Sequence, residues 1–596
     1  MRVALIQTPW SDHSGGPLKK FAQRWVSNPP LGLLYLAACL EENGHQVDVY
    51  DLEAEYLTPP QLGEKLTRDG VQLIGITATT PVYFITVAYI EYLKQLGLPI
   101  VLGGPHITAL ETEVTTGGPE VELPDAVDYA LTHEGEYGMV ALLDALDRKS
   151  DLSEIRGLMW RDGDRLIRNE PRNFIDNLDA LPFPDRRKLN PLLYRFEVPI
   201  KGMVPVANMT LTRGCPFLCA FCGEPFNGGR KLRMRDPQAM VDEMETILEL
   251  GVNHVWMCDS TLTANRKLLI GFSEEMIRRK VPMTFEGHTR ANLVDPELLG
   301  VMKEAGLTRL AYGLESVDPH VLKLMEKEID PEDVKKAVRL TTEMGIRATV
   351  GTMMGNAGDT RGTILKTAWF VRSIPEINYA PNAIACPLPG TPLRRQAEEG
   401  IGGLKLLDPD YSKLTRYSGG VMEVNGMSPR DLLRLQRLTL LIMHSTPRKF
   451  VYIIMHFGFI NLLGVLWNMV KSEATVRLKG YDPVMREVAD QNTTLANLGL
   501  GPIKSKAVRK AERMAEKAAR EAIRQERLLE AQPLIPGAQP ALLFKMVDAK
   551  DATQSSCGSS KPSLTGKTAH ALNQRMRSQP QDAAPQSVAH PALQES

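Results

Sequence analysis

Apolar and polar positions along the chain fall into two alternating stretches. In the first, up to Ser150, short apolar runs of strand length (VALIQT, QVDVY, VQLIGITA, PIVLGG and AVDYALT) alternate with segments whose apolar residues recur at three-and-four spacing. LGLLYLAACLEENG is the clearest such segment, and Gly44 supplies its stop. Apolar strands in alternation with helices predict an α/β domain, a doubly wound parallel sheet covered on both faces. After a proline-bearing linker from Asn177 to Pro191 the alternation resumes. VANMTLT, HVWMCD, MTFEGHT, TRLAYGLE, RATVGTMM and YAPNAIACP read as strands, with helical patterns such as PQAMVDEMETILELG and PELLGVMKEAG between them. Six such repeats predict a barrel or a partial (β/α)6 barrel.

A helical region follows. SPRDLLRLQRLTLLIMHS leads into a run from Phe450 to Val470 without a charged residue, preceded by Arg448 and Lys449 and followed by Lys471. That run is long enough to span a bilayer. His456, Asn461 and Asn468 interrupt it, so interfacial attachment or a wall of an apolar substrate pocket fits it better. A core helix pair broken at Gly458 or Gly464 is the alternative. Lys504 to Glu530 is charged and Ala-rich and reads as a solvated helix. Beyond Val547 the Ser, Gln, Pro and Ala content predicts disorder. The expected organisation is residues 1–150, a linker 151–200, a barrel 201–400, a helical region 401–500 and a tail 501–596.

Charge and cysteine usage narrow the functional classes. Lys plus Arg total 70 and Asp plus Glu total 71, so no charge excess points to nucleic acid. Seven cysteines in 596 residues do not make a disulfide framework. MRVALIQTPW lacks the basic start and long apolar core of a signal peptide, and a reducing cytoplasm is the expected setting. Cys39, Cys258, Cys386 and Cys557 are scattered. Cys215, Cys219 and Cys222 instead stand together in LTRGCPFLCAFCGEP, at C-x3-C-x2-C spacing, directly after the first strand of the second stretch. Structural zinc wants four protein ligands, and no His or Cys follows at zinc spacing. A disulfide would leave one thiol over. Three thiolates suit a four-iron cluster with one iron left open, and the spacing favours that cluster over zinc. In the first stretch the strand ends read TPW, TATTP, GGPH and THEGE. They suit the close approach of a large ligand, although strand-to-helix loops are Gly- and Thr-rich in any such fold.

The cysteine spacing after a first barrel strand, with Phe221 just before the last Cys, resembles the radical S-adenosylmethionine (SAM) superfamily. The resemblance covers roughly residues 200 to 395. It implies a [4Fe-4S] cluster on Cys215, Cys219 and Cys222, with the open iron chelated by the amino and carboxylate groups of SAM. It also implies reductive cleavage of SAM to a deoxyadenosyl radical that abstracts hydrogen from an unactivated carbon. FEGHTRANL resembles the third-strand segment whose Arg, here Arg290, contacts the SAM carboxylate. LAYGLESVDP sets Glu315 and Ser316 at the ribose, and TVGTMMGNAGDT sets Gly351 and Gly355 beside the adenine. VWMCDSTLT lacks the usual Gly-Gly-Glu, so Asp259 is the candidate for the amino group. Arg290 in a surface ion pair and Glu315 as a helix cap are the alternatives.

An N-terminal parallel domain joined to such a barrel resembles the cobalamin-dependent subgroup, with NPPLGLLYLAACLEENGHQVDVYD, LGGPH and EGE as recurring segments. This implies cobalamin cradled by Thr77, Thr79, Thr80, Gly103, Gly104, His106, Glu134, Gly135 and Glu136. The D-x-H-x-x-G motif that ligates cobalt is absent, since SDHSGG at Asp12 and His13 has the wrong spacing. Cobalamin without a protein His ligand is therefore expected, and His106 and His133 read better as satisfied loop histidines.

The implied function is a methyltransferase acting on an unactivated carbon of a lipid, a hopanoid at C-3. Methylcobalamin supplies the methyl group and a second SAM restores it. RGCPFLCAFC, RMRDP and PLPGTPL also resemble the anaerobic magnesium-protoporphyrin IX monomethyl ester oxidative cyclase. A cobalamin or iron-sulfur sensor is the non-enzyme alternative, disfavoured by the retained SAM-facing segments. The expected partners are a lipid or porphyrin substrate, an electron donor such as a flavodoxin or ferredoxin, and a peripheral contact with the inner face of the membrane.

Overall fold

The computed structural model describes residues 1–9, 28–115 and 121–457, apart from 56, 164, 199–201, 412–413 and 415–420, together with Leu500. The chain divides into two compact units, Met1–Lys506 and Ala507–Ser596. Everything described belongs to the first. SDHSGG, the uncharged run beyond Phe457, the Ala-rich segment and the tail with Cys557 lie outside the described residues.

The first sheet begins with β1 (Arg2–Gln7), β2 (Gln46–Asp51), β3 (Leu73–Thr77), β4 (Ile100–Gly103) and β5 (Tyr129–Leu131). They pair parallel in the order β2-β1-β3-β4-β5. Helices α1 (Leu31–Glu42), α2 (Pro59–Arg68), α3 (Tyr83–Leu93), α4 (Pro105–Thr115) and α5 (Glu136–Arg148) lie between and after them. Along β1, Val3 and Leu5 pack with Leu33 and Leu34 of α1 and Leu142 of α5. Ala4 and Ile6 pack with Leu62 of α2 and Ile90 of α3. Both faces are covered, which is why the strand is one unbroken apolar run. The strand order reverses between β1 and β3, and ligands of such sheets sit beyond the C-terminal ends of the strands at that switch point.

The sheet does not stop at the boundary expected at Ser150. β6 (Leu158–Asp162) and β7 (Arg165–Arg168) add an antiparallel hairpin beside β5, inside the stretch read as linker. The hairpin turns at Gly163, whose φ of 59° is open to glycine. Its strands, LMWRD and RLIR, are short, half-buried and charged, so no apolar run marked them.

A hairpin of β8 (Arg195–Val198) and β9 (Gly202–Pro205) precedes the second sheet. That sheet opens with β10 (Ala207–Met209), followed by a two-residue strand β11 (Thr212–Arg213) that pairs antiparallel with β12 (Arg233–Met234) across the cysteine loop. β13 (His254–Met257), β14 (Thr284–Thr289), β15 (Leu307–Glu315), β16 (Arg347–Met354) and β17 (Asn382–Ile384) complete six parallel strands in the order β10-β13-β14-β15-β16-β17. Helices α6 (Pro237–Glu249), α7 (Arg266–Arg279), α8 (Pro296–Glu304), α9 (Pro331–Glu343) and α10 (Arg361–Arg372) fill the crossovers. Asp236, Asp295 and Asp330 each cap a helix that starts on proline, a pattern legible in the sequence.

The first and last of the six strands do not pair, so the barrel is partial. Leu310, Tyr312, Leu314, Ala348 and Val350 face the helix layer and belong to its core. Arg309, Ala311, Gly313, Glu315, Thr349, Gly351 and Met353 alternate with them, half-buried, along the concave side. The region after residue 400, expected to be helical, also holds an antiparallel pair, β18 (Leu404–Leu406) and β19 (Met422–Val424). α11 (Pro392–Glu399) precedes that pair, and α12 (Pro429–His444) and α13 (Pro447–Phe457) follow it.

Candidate active site

The cysteine loop leaves β10 under the control of one carboxylate. Asp259, buried just past β13, accepts hydrogen bonds from Leu211 N (3.1 Å), Thr212 N and Thr212 Oγ1 (both 2.7 Å). Burial pushes its carboxyl up to about 6. Gly214 then takes φ 93°, and a Cβ there would stand 2.4 Å from the Lys231 carbonyl oxygen. Only glycine passes this point. Cys215 N donates to Gly229 O (2.9 Å), Ala220 N to Met325 O (2.8 Å) and Cys222 N to Cys219 O (3.0 Å).

The three sulfurs have only weak partners. Cys215 Sγ lies 3.7 Å from Thr261 Oγ1, Cys222 Sγ accepts from Glu224 N at 3.5 Å, and Arg290 Nη1 points at Cys219 Sγ from 3.8 Å. None is in a disulfide. Burial pushes the Cys219 thiol up and the Cys222 thiol up to about 11, so each favours its neutral form until a cationic centre compensates the thiolate. Among the described residues no three His, Cys, Asp or Glu side chains gather tightly enough around a point to hold one metal ion. The three thiols fall one ligand short of a structural zinc site. A four-iron cluster, whose thiolates sit on separate irons, fits the loop.

Beside the loop lie the residues expected to face SAM. Arg290, buried after β14, stacks 3.9 Å over the Phe217 ring and bonds Glu328 O, while its Nε is buried without a partner. No carboxylate pairs with it among the described residues, so it is not a surface ion pair. Glu315 ends β15 at φ 62° and pairs with Lys327 Nζ (3.3 Å). The cap of the next helix is Asp318, so Glu315 does not serve there. Ser316 is buried and its Oγ accepts from Asp318 N (3.2 Å). Gly351 sits on the concave face of β16, and Gly355 follows that strand at φ 82°, its N–H on Asp359 Oδ2 (2.9 Å). Lys327 also lies 5.9 Å from the Phe221 ring. Sequence reasoning passed over Lys327, because LMEKEID carries no pattern that sets one lysine apart.

A cavity of about 540 Å³ lies beyond the C-terminal ends of β1, β3, β4 and β5 and is walled on its other side by Thr212, Arg213 and Glu224, which flank the cysteine loop. Thr77, Thr79, Gly103, Gly104, Glu134, Gly135 and Glu136 stand at its wall, as does His133. Thr80 and His106 do not. They bond each other (Oγ1 to Nδ1, 3.0 Å) away from it, with His106 fully buried against Tyr83 (3.9 Å between rings) and held neutral by burial, its pKa lowered to about 3. Gly104, at φ 97°, brings bare backbone to the wall; a Cβ there would meet Thr77 Oγ1 at 2.5 Å and Ala78 O at 2.8 Å. Thr79 Oγ1 and His133 Nδ1 are buried at the wall without partners. Unsatisfied buried polar atoms beside bare backbone and an apolar lining suit a large ligand edged with amides, which is what a corrin is.

Two wall residues are already committed elsewhere. Glu134 accepts from Arg233 Nη1 (2.7 Å), Arg213 Nη1 (3.1 Å) and Ile175 N (2.6 Å), and Glu136 pairs with Arg213 Nη2 (2.8 Å). Arg213 lies 4.9 Å over the Tyr35 ring of α1. These arginines were not singled out from the sequence, although Arg213 stands two residues before the first cysteine. They fasten the loop after β5 to the loop that carries the cysteines.

Two family models match within the two sheet regions: the radical SAM superfamily matches residues 209–371 and the B12 binding domain matches residues 24–143. Over 448 residues the chain is 30% identical to the anaerobic magnesium-protoporphyrin IX monomethyl ester cyclase of Cereibacter sphaeroides, covering 73% of this chain and 68% of that protein. The chain belongs to the B12-binding radical SAM family. Within the family, an uncharacterized methyltransferase of Pyrococcus horikoshii is 29% identical over 441 residues, 73% of this chain and 92% of that protein. The hopanoid C-3 methylase of Methylococcus capsulatus is 24% identical over 372 residues, 61% of this chain and 67% of that protein. The fold is shared with TsrM from Kitasatospora setae, solved with cobalamin and a [4Fe-4S] cluster, at a TM-score of 0.55 and 18% identity over 73% of this chain and 81% of TsrM. It is likewise shared with OxsB, solved with aqua-cobalamin and S-adenosylmethionine, at 0.58 and 15% over 88% of this chain and 81% of OxsB. As a B12-binding radical SAM enzyme, the chain uses a [4Fe-4S] cluster, SAM and cobalamin.

Proposed function

We propose that this enzyme methylates an unactivated carbon of a hopanoid lipid, at C-3. The observation that supports joint use of the two cofactors is the shared wall: Thr212 and Arg213, just before the cysteines, line the same cavity as Thr79 and Gly104. The likeness to the hopanoid C-3 methylase supports the lipid. A cluster on the three cysteines, with SAM, would supply hydrogen-atom abstraction, and cobalamin in the cavity would supply the methyl group.

The chain's own residues do the rest. Cys215, Cys219 and Cys222 hold the cluster, and Asp259 fixes the entry to their loop. Arg290, Glu315, Ser316, Gly351 and Gly355 receive SAM beside Phe221. Thr77, Thr79, Gly103, Gly104 and Gly135 form the cobalamin wall, and Leu33, Leu131 and Met139 keep water from the sheet side of the cavity. A flavodoxin or ferredoxin in the cytoplasm is the electron donor in this reading.

The oxidative cyclase is the second reading, favoured by the 30% identity to that enzyme. An anaerobic assay separates the two. Protein loaded with iron, sulfide and cobalamin is given SAM, a reductant and either a hopanoid extract or the porphyrin ester. Deoxyadenosine and S-adenosylhomocysteine rising together with the lipid support methylation. Deoxyadenosine rising alone, and only with the porphyrin, replaces it with cyclisation.

A further inference from the structure

Three helices stand together on the outside of the partial barrel. α10 and α12 run parallel, with Arg361 paired to Asp431 at one end (3.2 Å) and Arg372 Nε bonded to Ser445 Oγ at the other (2.8 Å). α13 is tied in by Lys449, whose buried Nζ donates to Val371 O (2.9 Å) and Arg372 O (3.3 Å), and by Tyr452, which bonds Arg347 at the start of β16. Inward positions such as Ile364, Leu432, Leu435 and Met443 are buried, as an amphipathic helix requires.

The outward face is unusual for a soluble surface. Trp369, Leu438, Leu441, Phe450 and Val451 each leave between 44% and 53% of their surface exposed. Arg372 lies 5.2 Å over the Trp369 ring, and Arg430, Arg434 and Arg448 are exposed around the apolar residues. The three helices carry eight Lys or Arg and a single acidic residue, Asp431. In sequence the apolar character continues without charge to Val470. Among the described residues no helix is long and apolar enough to cross a membrane.

We propose that this face of α10, α12 and α13 docks on an anionic phospholipid surface. Aliphatic and aromatic side chains would enter the acyl boundary, tryptophan would sit at headgroup level and the arginines would meet phosphates. A second copy is the poorer occupant, because a two-fold pairing would set like charges against each other. The face runs along the side of the barrel, from the first turns of α10 and α12 beyond the end of β16 to Tyr452 beside Arg347 at its start. This inference does not depend on which substrate is methylated.

The test is sedimentation of the full-length, cofactor-loaded protein with vesicles of phosphatidylcholine alone or mixed with phosphatidylglycerol. The protein is expected to pellet with the mixed vesicles, less with the neutral ones, and less again as salt is raised. The double variant Leu441→Glu/Phe450→Glu should lose roughly ten-fold or more in vesicle affinity while forming deoxyadenosine from SAM at the wild-type rate. Wild-type protein staying in the supernatant with both vesicles would overturn the proposal. So would a double variant that pellets like wild type, or one whose only change in ultracentrifugation is the loss of an oligomer.

Discussion

At the scale of single residues, the site rests on positions where one atom more or less is decisive. Gly104 is the clearest. Its left-handed backbone and the 2.5 Å approach to Thr77 Oγ1 leave no space for a methyl group, so Gly104→Ala should lower stability by about 1–3 kcal/mol and weaken cobalamin retention on a desalting column. Cys219→Ala should abolish both the cluster signal in electron paramagnetic resonance and deoxyadenosine formation; persisting SAM cleavage would sink the cluster assignment. Asp51, buried at the end of β2 and hydrogen-bonded by Tyr194 Oη (2.8 Å), is pushed up to about 6 by burial, from an ordinary 3.8. The folded chain thus holds an extra proton between those values, and stability falls as pH rises through that window. A shift of this size amounts to about 3 kcal/mol at most. Asp51→Asn should flatten the change in thermal midpoint between pH 4 and pH 6. The cysteines and the glycine-rich strand ends were legible because their chemistry is rare or their backbone demands glycine. Lys327 and Arg213 were not, since an arginine or lysine shows its partner only once the chain is folded.

At the scale of elements, the alternation of apolar runs with three-and-four spacing located all five parallel strands of the first sheet and all six of the second. What it could not locate was the β6–β7 hairpin, whose strands bury only part of one face. The positions of Thr80 and His106 show the same limit. They belong to two strand-end segments that were identified, TATTP and GGPH, yet the helical turns they begin point them at each other and not into the cavity. The join between the halves is an element-scale matter too. Arg233 is buried with its charge matched by Glu134. Replacing it by Leu leaves that carboxylate only Arg213 and the Ile175 amide, which should cost about 1–3 kcal/mol and show as a lower thermal midpoint of the cofactor-loaded protein. Glu134→Gln, which leaves a neutral acceptor, should cost less.

For the molecule as a whole, the wall that joins the halves makes ligand binding and stability one equilibrium. Cobalamin binds only a wall assembled from the sheet ends, so at a hundred times its dissociation constant it should add about 2.7 kcal/mol of stability, read as a rise in melting temperature with cobalamin concentration. A melting temperature indifferent to cobalamin would contradict the cavity assignment.

The sharing of Glu134 among three segments has a kinetic consequence. Its carboxylate is held by the cysteine loop through Arg213, by β12 through Arg233 and by the chain between the domains through the Ile175 amide. Moving the first domain aside would break all three contacts together, so widening the cavity at this edge costs their joint loss. A wider opening of the cavity at this edge would also expose Thr212 and Arg213 at the base of the cysteine loop. If cobalamin exchange uses such an opening, cluster absorbance in air should decay faster while cobalamin exchanges than while it stays bound.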